Sequence, residues 1–153
     1  MTFSLTSTSF TPGGAIPRTY TADGRDISPS LAWESPPVGT QSFALICDDP
    51  DAPMGTWVHW VIWNVPSPAR GLNEAVQHIK TLADGSAQGK NDFGRIGYGG
   101  PSPPAGKPHR YFFHLYAVKE KLGLPAGASR GELERAMQGR VLATAELFGT
   151  YKR

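Results

Sequence analysis

Short stretches rich in β-branched and aromatic residues recur between turn-forming residues along this chain. Residues 30–33, 42–48, 57–65, 110–118 and 141–148 each read as a β-strand. Side chains in a strand point alternately to opposite faces. Within 57–65, that places Trp57, His59, Val61 and Trp63 on one face and Val58, Trp60, Ile62 and Asn64 on the other. Both faces are apolar, which predicts a central strand. At the start of the 110–118 strand, His109, Tyr111, Phe113 and Leu115 share a face, and Arg110, Phe112, His114 and Tyr116 take the other. One helix is clear: Ser129 and Glu132 form a capping box, Leu133, Ala136 and Met137 have helical spacing, and Gly139 is a stop. A second short helix is predicted over 72–80. The stretches 84–100 and 101–108 are polar, rich in Gly and Pro, and longer together than an ordinary connection. Loops of that length usually carry function or are disordered.

Composition narrows this picture. A chain of 153 residues suits one domain, 1–153, with a real core. Its 18 Gly and 14 Pro favour turns over long helices, so the expected class is mainly β. The net charge is +2, and the 15 basic residues are scattered from Arg18 to Arg153 without a run. They offer no continuous stripe to nucleic acid or to an anionic lipid surface. The single cysteine, Cys47, excludes an internal disulfide and reads as a buried structural thiol. No window approaches the roughly 18 apolar residues of a membrane span, and the first residues lack the pattern of a secretory signal. The expected location is cytoplasmic.

Two segments carry the candidate chemistry. LICDDPDAPMGTWVHW joins an apolar strand to an acidic end and a rigid turn, because Pro50 and Pro53 fix their own φ and restrict Asp49 and Ala52 before them. GRIGYGGPSPPAGKPHRYFFHLYAV runs from glycines that let backbone approach a ligand, through stiffening prolines, into a strand opening on His109, Arg110 and Tyr111.

These segments resemble the two signature regions of the phosphatidylethanolamine-binding protein family: DPDAP followed by a histidine strand, and a Gly-Pro loop followed by HRY. The likeness is strongest to the bacterial and archaeal branch of that family. IPRTYTADGRDISPSLAWESPP, NDFGRIGYGGP and the final GTYKR also resemble blocks of that branch, so the match spans nearly the whole chain. The resemblance implies a β-sandwich of antiparallel sheets with a few short helices and a small anion pocket. By position it assigns Asp49, His59, Gly100, Pro101, His109 and Tyr111 to ligand binding, with Asp51, Pro53 and Trp57 in support. It further implies a cis peptide before Pro53. Ala22 and Ser102 stand where many relatives carry cysteine, so no redox role transfers. The C-terminal helix of eukaryotic members is not seen.

Two imidazoles beside a carboxylate suit an anion: Asp49 would favour a protonated neighbouring His, leaving N–H donors for phosphate oxygens, with Tyr111 adding a neutral donor. The expected ligand is a small anion such as phosphate, a phosphorylated headgroup, a nucleotide-like molecule or a carboxylate, bound without cofactor or metal. The absence of HxH or HExxH spacing argues against a metal site. His78 and His114 read as structural. Two other readings stand beside binding: a protein-interaction regulator that inhibits a serine protease or modulates a kinase, and an enzyme acting on a small phosphorylated substrate. No activated nucleophile is evident for the latter, since Ser28, Ser35 and Ser102 lack a recognisable elbow. The resemblance is compatible with a homodimer.

Overall fold

β3 (Ser42–Asp49) is buried along its whole length, because it lies at the centre of a five-stranded sheet packed on both faces. Its neighbours are β4 (Trp57–Pro66) and β7 (His109–Val118), and β6 (Ala87–Gln88) and β8 (Val141–Tyr151) complete the order β6-β4-β3-β7-β8. A second sheet of three short strands, β1 (Ser4–Thr6), β2 (Leu31–Glu34) and β5 (Gly71–Leu72), runs in the order β1-β2-β5. Every pairing between these strands is antiparallel. This computed structural model describes residues 2–153.

Each face of the large sheet has its own core. Between the sheets, Leu5, Leu31 and Trp33 meet Phe43, Leu45, Trp60, Ile62, Phe113 and Leu115. On the outer face, Ala44, Ile46, Val61 and Trp63 pack against Leu133 and Met137 of α1 (Arg130–Met137) and against Leu122 and Ala128. Burying each of these large side chains contributes about 1.5–3 kcal/mol relative to exposure. The helix is capped as its sequence predicts. Ser129 accepts from the Glu132 amide, the Glu132 carboxylate accepts from the Ser129 amide, and Gly139 follows with φ +74°.

Two irregularities in the β3–β4 register decide which way β4 side chains point. Cys47 pairs with Trp60 but Asp48 pairs with Val58, so His59 is an extra residue in β4. Further along, Leu45 pairs with Ile62 but Phe43 with Val65, so Trp63 and Asn64 together oppose Ala44. Each bulge reverses the alternation. Trp60, Ile62 and Val65 therefore face the inter-sheet core, while Val58, Val61 and Trp63 face the outer one. This corrects the simple period-two expectation: His59 does not share a face with Val61 and Trp63. It meets the ring of Tyr111 edge-on at 5.2 Å, on the inter-sheet side.

The predicted helix over 72–80 does not form either. Ala75 adopts φ +61°, its amide and that of Val76 are drawn to the Ser28 carbonyl and hydroxyl, and the carbonyls of Gln77 and Ile79 accept from the Gln88 side chain. With these groups satisfied by distant partners, no intrahelical ladder is needed.

The second bulge is held by Asn64, which sits at φ +56° and exchanges two hydrogen bonds with the backbone of Leu122, at 2.8 and 2.9 Å. Asn64→Ala is expected to cost about 2 kcal/mol in urea denaturation, from the lost bonds plus left-handed strain, and Asn64→Gly less, since it removes only the bonds. Equal losses in the two variants would show that backbone strain plays no part there.

Candidate functional site

Asp48 and Asp49 end β3 and, being adjacent, serve opposite faces of the sheet. Asp49 turns toward the inter-sheet side, where its Oδ2 accepts from His109 Nδ1 at 2.6 Å. Its Oδ1 accepts from the Asp51 amide at 2.8 Å, closing a tight turn through Pro50. Asp51 in turn accepts from the Arg110 amide, Nε and Nη2, each at 2.9 Å. The Arg110 guanidinium holds the Asp51 carboxyl down to about 2. The turn is thus pinned to the first residues of β7, and the Asp49–His109 pair is locked from both strands.

His59 is positioned by the loop that follows β6. Asn91 folds this loop, with Oδ1 accepting from the Phe93 and Arg95 amides and Nδ2 donating to the Gly97 carbonyl. Asp92 binds both backbone groups of Val58: its amide donates to the Val58 carbonyl and its carboxylate accepts from the Val58 amide. Gly99 does the equivalent for His59. Its amide donates to the His59 carbonyl at 2.8 Å, and its carbonyl accepts from the ring Nδ1 at 2.6 Å. Burial pushes His59 below the usual imidazole range, outweighing the Gly99 bond and the nearby Asp49 charge.

Between these elements lies a pocket of about 220 Å³. Asp49, His59, Ser102, His109 and Tyr111 supply its polar groups, and Trp57, Phe93, Pro53, Met54, Pro103 and Pro104 its walls. Two donors here are buried and have no hydrogen-bond partner among the described residues: Trp57 Nε1 and Tyr111 Oη. Burial pushes the Tyr111 hydroxyl up, so it keeps its proton. An orphaned buried donor costs about 1–3 kcal/mol, and two such donors belong to residues of one pocket.

The model of the family described as phosphatidylethanolamine-binding protein matches residues 6–152. The chain belongs to the phosphatidylethanolamine-binding protein family. A UPF0098 protein of Aquifex aeolicus (strain VF5) is 54% identical over 96% of this chain and 86% of its own length. One from Methanothermobacter thermautotrophicus is 51% identical over 97% and 98%. Two crystal structures superpose along nearly the whole chain. The putative family homolog CT736 of Chlamydia trachomatis has TM-score 0.90, 38% identity and coverage of 99% and 97%. Escherichia coli YbcL, described as a new member of the mammalian family, has TM-score 0.92, 35% identity and coverage of 99% and 98%.

Of the positions that the phosphatidylethanolamine-binding protein pattern assigns here, Asp49, His59, His109 and Tyr111 meet around the pocket, with Pro53 and Trp57 in its wall. Gly100 and Pro101 do not line it. The Gly100 amide donates to Asp26 Oδ1 at 2.7 Å and the Pro101 carbonyl accepts from Ala22, so both tie the loop to the N-terminal segment. A Cβ on Gly100 would lie 2.5 Å from the Tyr20 carbonyl oxygen, which explains the glycine without a ligand. Asp51 faces Arg110 rather than the hollow. No cis peptide is present among the described residues, so the one implied before Pro53 is absent. Phe93, Met54 and the pair Pro103 and Pro104 went unassigned. Phe93 sits inside the NDFGR block, and its neighbours Asn91 and Asp92, both loop-closing residues, were the available signal. Among the described residues, no group of three or more His, Cys, Asp or Glu is arranged to hold a metal ion.

Behind the sheet, Asp48 faces a separate cluster. His114 bonds Asp48 at 3.1 Å and approaches Glu146 at 3.2 Å, and Arg130 of α1 approaches Asp48 at 3.4 Å. Burial opposes charge on His114, but the Asp48 hydrogen bond and the two carboxylates prevail and raise its pKa. A raised folded-state value means that the stabilisation is complete below the unfolded imidazole range, about 6.5, and is lost as pH rises through the folded value. NMR titration is expected to show His114 protonated above the ordinary range, returning toward it in Asp48→Asn. An ordinary midpoint in both proteins would remove the pairing.

Proposed function

We propose that this protein binds a small phosphate-type anion in the pocket between His59, His109 and Tyr111. The observation that carries this reading is the pair of orphaned donors, Trp57 Nε1 and Tyr111 Oη, on side chains that line the same hollow as the Asp49–His109 pair. His109 gives Nδ1 to Asp49 and keeps Nε2 for a ligand. The rings of His109 and Tyr111 lie 6.5 Å apart and those of His59 and Tyr111 5.2 Å, so one tetrahedral group can reach all three. Hydrogen bonds to a charged acceptor contribute about 1.5–3 kcal/mol each, enough for a small ligand held by several.

Binding is preferred to turnover on one further ground. Ser102 lines the pocket, yet the hydrogen bonds of the two imidazoles go to Gly99 and Asp49 rather than to its hydroxyl. A nucleophile would need such a base. The apolar walls suit an organic group on the phosphate, so a phosphorylated small molecule fits better than bare phosphate.

Calorimetry with phenyl phosphate is expected to give saturable binding at a single site. Tyr111→Phe and His109→Ala should each weaken it by about tenfold or more, a loss of about 1.4 kcal/mol, while His78→Ala leaves it unchanged. Absence of binding at millimolar ligand, or equal affinity in all four proteins, would defeat the assignment.

A further inference from the structure

The hydrogen bond from His59 to Gly99 restricts what the pocket can hold. A carbonyl oxygen only accepts, so the 2.6 Å contact requires the proton of the ring to sit on Nδ1. The other nitrogen, Nε2, then offers a lone pair to the hollow. The residue is 3% exposed and burial disfavours a second proton on its ring. His59 is therefore an acceptor in a pocket whose lining side chains Trp57, Tyr111 and Ser102 can donate. From the sequence, N–H donors for phosphate oxygens are expected beside Asp49; His59 instead presents an acceptor.

Charge points the same way. Asp49, Asp48 and Asp26 place negative charge around His59, and the arginines that act on Asp49 and Tyr111, Arg110 and Arg153, are each paired with a carboxylate, Asp51 and Asp23. Among the described residues no Lys or Arg lines the pocket. Even with both His109 nitrogens protonated, the Asp49–His109 pair sums to zero, and a dianion beside it would face no net positive charge. A ligand of charge −1 that also brings a hydrogen-bond donor meets both conditions.

We propose that the pocket selects phosphate monoesters in their singly protonated form, with the ligand P–OH donating to His59 Nε2 and its other oxygens accepting from Trp57 and Tyr111. This rests on the anion-binding reading and narrows it. A phosphodiester, such as the headgroup linkage of an intact phospholipid, has no P–OH and satisfies His59 poorly. A terminal phosphate satisfies it, and Trp57, Phe93, Pro103 and Pro104 then receive an apolar or aromatic ester group. His59 acts as a specificity determinant that reads the protonation state of the ligand.

Phenyl phosphate and phenyl sulfate make a matched pair, since below the second ionisation of a phosphate monoester, at about pH 6, both are monoanions of nearly the same shape and only the phosphate carries a hydroxyl. Calorimetry on the wild-type protein about one pH unit below that ionisation is expected to show phenyl phosphate binding at least about tenfold tighter than phenyl sulfate or methyl phenyl phosphate. Affinity should then fall with rising pH at a midpoint set by the ligand, moving upward for phenylphosphonate, whose second ionisation lies higher. In His59→Gln, whose amide can donate as well as accept, the preference over sulfate should shrink. Equal binding of phosphate and sulfate, or one midpoint for both phosphorus ligands, would overturn the selection rule and leave anion binding intact. Failure of every ligand to bind would overturn both.

Discussion

Gly99 pairs with His59 twice, amide to carbonyl and carbonyl to ring, and the rest of the pocket depends on that double contact. His59 is the extra residue of a bulge, unpaired with β3, so its backbone carbonyl and its ring both need partners from elsewhere. The loop after β6 supplies both. In doing so it brings Phe93 against the rings of Trp57 and His59, at 5.5 and 5.3 Å, and closes one side of the hollow. The same contact fixes the tautomer of the ring. Local backbone irregularity, loop placement and the hydrogen bonding of the ring are set by one residue pair.

The opposite wall is built from the end of β3. The strand alternation sends Asp49 to His109 and Asp48 to His114 and Arg130, so neighbouring carboxylates each meet an imidazole, on separate faces of one sheet. The pairs differ in setting. Asp48 shares His114 with Glu146 near the helix, a cluster that ties α1 and β8 to the sheet. Asp49 is backed by the Asp51–Arg110 contact and opens onto the pocket. Among the described residues Trp57 Nε1 and Tyr111 Oη, on side chains of these walls, have no partner, which is a local penalty.

Much of this was legible in the residues. Five long-range strand assignments correspond to β2, β3, β4, β7 and β8 within a few residues at their ends, because β-branched and aromatic runs bounded by Gly and Pro have few alternatives. The Ser129 capping box and Gly139 marked α1 for the same reason. The grouping of Asp49, His59, His109 and Tyr111 came from motif resemblance and not from periodicity. Pattern failed where single residues broke the period: the bulges at His59 and Asn64 leave no mark in hydrophobicity, so Val61 and Trp63 were placed on the wrong face. The 72–80 helix failed because Ser28 and Gln88, distant in sequence, satisfy its backbone. Gly100 and Pro101 were assigned to the ligand because glycine serves equally for close ligand approach and for close loop packing, and only coordinates separate the two.

The 2.6 Å contact with the Gly99 carbonyl puts the proton of the His59 ring on Nδ1 and leaves Nε2 bare toward the pocket. Nitrogen-15 NMR of histidine-labelled protein near neutral pH reads this directly. The expected spectrum has a pyrrole-type Nδ1 and a pyridine-type Nε2 for His59. A protonated Nε2, whether in the other tautomer or in the imidazolium, would contradict it.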